Sequence, residues 1–289
     1  MNSIASSIST LEKVINEINK QKRTPKRIGN LLNLDNKSAY IIIGDIHGDL
    51  ESLEKLFSKV DLGSYLKDNT NKIIFLGDYI DRGPQQLEVL NTVLTLYLNY
   101  PNQVVLLRGN HEGPEDLPCF PNDFERVILA KFKEDATRYR KKLQNVFDNL
   151  LTGAVIKEQA LLVHGGIPTQ GKDIGDIAYA HSLHPVRPHL TEILWNDPIE
   201  ENGIKESPRG AGYLFGPSIS NKFLDKIHVK SMIRGHQSVE NGFKIDHKRL
   251  FTLFSSRTRS YRNTKRAALF INRKSSYEVE VLREYLVLY

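Results

Sequence analysis

The chain has 289 residues, 40% of them apolar, with a net charge of +6 and a single cysteine, Cys119. That apolar content can build a sizeable core in one large or two small domains, and a lone cysteine excludes a disulfide framework and fits a reducing compartment. No apolar run approaches the ~20 residues that cross a bilayer, and Met1 to Ser9 lacks the basic start and apolar core of a secretory signal. The expectation is a soluble cytoplasmic protein with no membrane partner. Its positive charge leans towards acidic partners without choosing between nucleic acid and phosphorylated protein.

Residues 1–38 read as an N-terminal helical accessory segment. Ser9 and Glu12 have the spacing of a capping box, and Leu11, Val14, Ile15 and Ile18 form one helical face. The basic stretch Lys20 to Arg27, broken by Pro25, reads as a connector. Residues 39–289 then read as one catalytic unit. Apolar runs at Ala39 to Ile43, Lys72 to Leu76 and Gln103 to Leu107 predict strands. Leu50, Leu53, Leu56, Phe57 and Val60 stripe a first intervening helix, and Leu87, Leu90, Val93, Leu94 and Tyr97 a second. The result is a βαβαβ pattern whose right-handed crossovers put both helices on one face and all following turns at one carboxyl edge. A charged helical region runs from Asp123 to Leu151. Further strands are expected at Ala160 to Val163, Val229 to Ile233, Lys248 to Phe254, Ala267 to Ile271 and Tyr277 to Leu282. The predicted fold class is α/β, two sheets flanked by helices.

The chemistry lies in the turns after these runs: Gly44-Asp45-Ile46-His47-Gly48, Gly77-Asp78-Tyr79-Ile80-Asp81-Arg82-Gly83 and Arg108-Gly109-Asn110-His111-Glu112. His164 and His236 open similar turns later in the chain. Carboxylate, imidazole and amide donors of mixed hardness suit Mn, Fe or Zn. The six donors Asp45, His47, Asp78, Asn110, His164 and His236 exceed what one open cation needs and suit two, with Asp78 able to bridge. A water shared by two cations loses its proton near neutral pH and can attack a phosphate ester. Arg82 and Arg209 offer forks to phosphate, and His111, held by Asp81, can protonate the departing oxygen.

These motifs, with Ile193-Leu194-Trp195-Asn196-Asp197-Pro198, Arg209 to Gly216 and Arg234-Gly235-His236-Gln237, resemble the phosphoprotein phosphatase family of the calcineurin-like metallophosphoesterase superfamily. The resemblance extends from about Tyr40 to about Ile271. It implies a metallophosphoesterase sandwich and a serine/threonine protein phosphatase acting on phosphate monoesters, with two divalent ions, Mn being favoured. Asp45, His47 and Asp78 would bind the first ion and Asp78, Asn110, His164 and His236 the second. His111 and Asp81 would form the acid dyad, while Arg82, Asn110 and Arg209 would hold phosphate. The alternatives are a hydrolase of dinucleoside polyphosphates or other small esters and, less in keeping with the motifs, a nucleic-acid phosphodiesterase.

Two stretches depart from the family pattern, Gly113 to Pro118 and Ser255 to Arg262, and point to an archaeal- or bacterial-type member. The second is rich in arginine. Arg257, Arg259, Arg262, Lys265 and Arg266 are expected to surround the entrance and steer anionic substrates inward. Trp195 is expected to serve packing, and Asp197 to support a metal ligand from behind.

Overall fold

Alternation within the short apolar strands decides which layer each side chain joins. The computed structural model describes residues 4–273 and 275–289. Its strands, in chain order, are β1 (Arg27–Ile28), β2 (Leu31–Leu34), β3 (Tyr40–Ile43), β4 (Lys72–Phe75), β5 (Val104–Leu106), β6 (Gly153–Ile156), β7 (Ala160–Leu162) and β8 (Asp197–Pro198). They continue with β9 (Ile204–Glu206), β10 (Tyr213–Phe215), β11 (Ser231–Arg234), β12 (Phe243–Asp246), β13 (Leu250–Leu253), β14 (Ala267–Ile271) and β15 (Leu286–Leu288).

A five-stranded sheet has the order β15-β14-β3-β4-β5, and a seven-stranded sheet the order β1-β2-β6-β7-β11-β13-β12. Ile41, Ile43, Ile73, Phe75, Val104 and Leu106 point to a helical layer, where they meet Leu53 and Leu56 of Leu50–Lys59 and Leu90 and Val93 of Gln86–Asn99. The alternate residues Tyr40, Ile42, Ile74, Leu76 and Val105 face the other sheet and pack with Ala154, Leu162, Ile233 and Phe251. On the far side, Leu161, Val163 and Met232 are covered by Ile193, Leu194, Phe223 and Leu224 of the helices His189–Trp195 and Pro217–Lys226. The result is a four-layered α/β sandwich with helices outside both sheets, as the period-2 runs and the striped helices dictate.

Four details differ from the sequence expectations. The first helix already includes Ile4 and runs to Gln21, so Ser9 and Glu12 lie inside it and not at a cap. The cause is that Ile4 and Ile8 extend the apolar stripe of Leu11, Val14 and Ile18 towards the N-terminus. Met1 to Ser3 lie outside the described residues. Residues 27–34, expected to belong to an accessory segment, enter the seven-stranded sheet, where β2 pairs in parallel with β6. Tyr277 to Leu282 is not a strand: Val279–Leu282 forms a helical turn that buries Val279 and Leu282, a three-residue spacing. The place beside β14 goes instead to β15. A third, small sheet of order β8-β10-β9 accompanies the two expected ones.

Candidate active site

Parallel pairing of β3, β4 and β5 brings the three motif turns to one edge. β7 and β11, also parallel, bring His164 and His236 to the same edge from the other sheet. The turns are tight enough to demand unusual backbone. His47, Asp78, Asp81, Arg82 and His236 have positive φ, five of the eleven such non-glycine residues among those described. Left-handed backbone in L-residues persists only where surrounding contacts hold it, and it gathers at functional sites. Gly77, at φ 108°, has room for no side chain because a Cβ there would meet the Gly109 nitrogen at 2.4 Å. The second and third turns thereby lie against each other.

Each imidazole is oriented by its other nitrogen. His47 Nδ1 donates to the Ile80 carbonyl at 2.9 Å, which turns Nε2 towards Asp78 Oδ2 at 3.4 Å and Asp45 Oδ2 at 3.8 Å. His164 Nδ1 donates to the Leu76 carbonyl at 3.0 Å, leaving Nε2 at 3.4 Å from Asp78 Oδ1 and 3.0 Å from Asn110 Oδ1. His236 Nδ1 lies 2.9 Å from the same Asn110 oxygen. Carbonyl-oriented imidazoles of this kind are typical of metal ligands. Two donor groups emerge: His47, Asp78 and His111 in one, and Asp78, His164 and His236 in the other. Asp78 belongs to both.

The buried atoms fit cations. Asp45 accepts the His236 backbone N–H on Oδ1 at 2.9 Å, but its Oδ2 and the Nε2 of His236 have no hydrogen-bond partner among the described residues. An unpartnered buried carboxylate oxygen is costly unless a positive group compensates it. Burial pushes Asp45 up to about 7, and burial, joined by the charges of Asp45 and Glu112, drives Asp78 well above the carboxylate range. Burial first, and then neighbouring positive groups, drive His47, His164 and His236 well below the usual imidazole value. Neutral imidazoles beside carboxylates that resist ionisation suit divalent cations, whose charge would favour the carboxylate form.

The remaining expected residues lie around this centre. His111 Nδ1 and Asp81 Oδ2 are 2.6 Å apart, and the other Asp81 oxygen accepts the Phe124 N–H at 2.7 Å. Burial lowers the pKa of His111, while the Asp81 carboxylate opposes that fall. Arg82 donates to the carbonyls of Pro121 at 3.3 Å and Phe120 at 3.2 Å. Arg209 Nε donates to Asp197 Oδ2 at 2.6 Å. Asp197 Oδ1 in turn accepts from Arg234 at 2.9 Å, so Asp197 supports two arginines and not a metal ligand. His47, Asp78, Arg82, Asn110, His111, Arg209 and His236 line one open cavity of about 270 Å³. Asp45, Asp81 and His164 stand behind that wall, buried.

Further residues line or touch the cavity. Trp195, expected to serve packing, also lines the wall, with its ring edge-on to His236 at 5.9 Å. Tyr261 enters it as well, its ring 5.3 Å from that of His47. Cys119 Sγ lies 3.1 Å from His111 Nε2, which no local sequence signal announces. Glu112 was the most legible of the omissions, being part of the third motif. Its buried carboxylate accepts the backbone N–H groups of Asp78 at 2.8 Å, Tyr79 at 2.9 Å and Gly109 at 3.1 Å, tying the second turn to the third. The five basic residues of the arginine-rich stretch, expected around the entrance, are not among the residues that line the cavity. Arg257, Arg259, Arg262 and Lys265 are exposed, but Arg266 is buried, donating to Ser52 Oγ at 2.7 Å beneath Tyr289. Its neighbour Ala267 begins β14, which draws Arg266 into the fold.

Comparison with known proteins agrees with this geometry. Residues 39–240 match the family described as calcineurin-like phosphoesterase. The chain is 35% identical over 239 residues to the serine/threonine-protein phosphatase 6 catalytic subunit of Caenorhabditis elegans, covering 81% of this chain and 69% of that protein. It is 36% identical over 206 residues to the serine/threonine-protein phosphatase 4 catalytic subunit of Eremothecium gossypii, covering 70% of this chain and 63% of that one. Among solved structures, a protein serine/threonine phosphatase from Saccharomyces cerevisiae with similarity to human phosphatase PP5 superposes with a TM-score of 0.79 at 22% identity. That match covers 98% of this chain and 88% of the other.

Proposed function

The chain belongs to the calcineurin-like phosphoesterase family, alongside serine/threonine-protein phosphatase catalytic subunits, and we propose that it hydrolyses phosphate monoesters on serine and threonine side chains of proteins. The observation that carries this reading is the 2.6 Å Asp81–His111 pair at the wall of the cavity that Arg82 and Arg209 also line. Asp45, His47 and Asp78 would hold one divalent cation, and Asp78, Asn110, His164 and His236 a second. Bound there, two cations would supply the positive charge that makes water acidic enough to attack and that offsets charge on the phosphoryl oxygens. We favour Mn, on the family resemblance, among the ions these donors accept.

The chain's own side chains have distinct tasks in this reading. Arg82 and Arg209 bind the phosphoryl oxygens, each held in place by the acceptors already described. The Asn110 amide adds a donor to phosphate. His111, oriented through Nδ1 by Asp81, delivers a proton from Nε2 to the departing serine or threonine oxygen, so that the leaving group is an alcohol and not an alkoxide. Residues 39–289 would be the catalytic part and the helix near the N-terminus an accessory to it, in a cytoplasmic protein that meets phosphoproteins.

A side-by-side assay tests the substrate class. With Mn added, a phosphoserine peptide should be turned over at least tenfold more efficiently, in kcat/KM, than diadenosine tetraphosphate. The reverse ratio would make the protein a dinucleoside polyphosphate hydrolase. Cleavage of neither, with salt-sensitive cleavage of DNA or RNA, would move it to the phosphodiesterases.

A further inference from the structure

A second cavity is larger than the catalytic one. It measures about 550 Å³ and opens at the amino end of β5, between that strand and residues 18–38. Ten of its lining residues come from that N-terminal stretch, which gives the stretch a role beyond completing a sheet. The volume lies in the range of sites that enclose small organic ligands. Its walls divide by chemistry. Leu34, Val105 and Leu151 are apolar and buried, whereas Lys26, Arg27 and Lys72 are cationic.

Those cations form no direct ion pair, although Asp35 lies near enough for its charge to act on Lys26 and Lys72. Among the described residues, none of Lys26, Arg27 and Lys72 forms a salt bridge with a carboxylate. Arg27, only 7% exposed, gives Nε and Nη2 to the carbonyls of Gly29 and Asn149. Lys72 donates to the Asn102 carbonyl at 2.9 Å. The one carboxylate at the cavity, Asp35, uses Oδ1 to accept from the backbone of Lys37 and Ser38 and from the Ser38 hydroxyl. Burial, and then the charge of Lys26, lower the pKa of Lys72, and the Asp35 carboxylate opposes that fall. Independently, Tyr97 lines the cavity at 3% exposure, and its buried hydroxyl has no hydrogen-bond partner among the described residues. A buried hydroxyl without a partner costs stability unless something else meets it.

We infer that this cavity is a binding site for a small amphipathic organic anion, with its anionic group held by Lys26, Arg27 and Lys72 and its apolar body against Leu34, Val105 and Leu151. The Tyr97 hydroxyl supplies a further donor for such a ligand.

Fluorescence titration of the full chain with 1-anilinonaphthalene-8-sulfonate tests the site without any assay of catalysis. Binding should saturate at one probe per chain. It should weaken at least tenfold in Lys26→Glu/Lys72→Glu and remain unchanged in Asp78→Asn, which alters the catalytic cavity alone. The uncharged N-phenyl-1-naphthylamine should bind at least tenfold more weakly than the sulfonate. Should the double variant fail to fold by circular dichroism, Lys26→Glu alone, at an exposed position, should still weaken the sulfonate by about threefold. Equal affinity in the charge-reversed protein, equal affinity for the uncharged probe, or loss of binding in Asp78→Asn would each overturn the inference.

Discussion

The two ends of β5 show opposite solutions to burying polar groups. At the carboxyl end, acids and imidazoles crowd together, yet nearly every one is pinned. His47 and His164 are tied to carbonyls, Asp81 to the Phe124 N–H, and Glu112 to three backbone donors. At the amino end, cations in no direct ion pair and a tyrosine hydroxyl with no hydrogen-bond partner, among the described residues, face an apolar wall. The first end has negative donors that fit cations, and the second has positive donors that fit an anion. Rigid second partners make a catalytic site because they fix reacting atoms before substrate arrives.

Changes at the carboxyl end should be the more severe. Asp78→Asn should abolish measurable turnover of p-nitrophenyl phosphate and reduce metal content at both positions, since Asp78 is shared by both donor groups. Full metal content with full activity would remove it from the centre. His111→Ala should slow turnover by about 10²–10⁴-fold, the usual worth of a general acid, while metal measured by mass spectrometry stays near that of the parent. Metal loss in that variant would instead make His111 a ligand, a role its place in one donor group leaves open.

Glu112→Ala tests the pinning itself. It leaves three buried N–H groups without their acceptor, each costing about 1–3 kcal/mol, so thermal unfolding should shift down by many degrees. An unchanged Tm would show that those turns hold without it. For pH, Asp45 is pushed up to about 7 by burial. As a carboxyl raised above its unfolded value of about 4, it adds stability to the metal-free protein at low pH, and that stability is lost as pH rises through about 7. A cation needs the ionised form, so metal binding should strengthen with rising pH and release more protons at pH 6 than at pH 8. Calorimetry in buffers of different ionisation enthalpy reads that release, and the opposite trend would place Asp45 outside the ligand set.

At the amino end the expected effect is small. Tyr97→Phe removes a hydroxyl without a partner and should leave Tm unchanged or slightly higher. A clear fall in Tm would mean that the hydroxyl is satisfied in the protein alone.

Much of the carboxyl end was legible because its signals are local. Asp45 and His47, Asp78 to Arg82, and Asn110 and His111 each follow an apolar run, and strand direction alone sends them to one edge. The helical stripes of Leu53 and Leu56, and of Leu90 and Val93, were equally direct. Tyr277 to Leu282 misled because six residues are too few to separate a period of 2 from one of 3.6. The N-terminal segment misled because β2, to which β1 is joined, gains its place in the sheet from β6, more than a hundred residues away.

Sequence by itself determined the donor types, their order along the chain and the strand-turn pattern that delivers them, because these depend on residues within a few positions of one another. Tertiary structure alone decided which nitrogen of each imidazole faces the centre, since distant carbonyls at Ile80 and Leu76 choose it. It also decided that Cys119 touches His111, that Asp197 serves two arginines, and that residues 18–38 enclose a cavity with β5. All of these are contacts between segments far apart in the chain, and their geometry is set by packing of the layers, which no local pattern encodes.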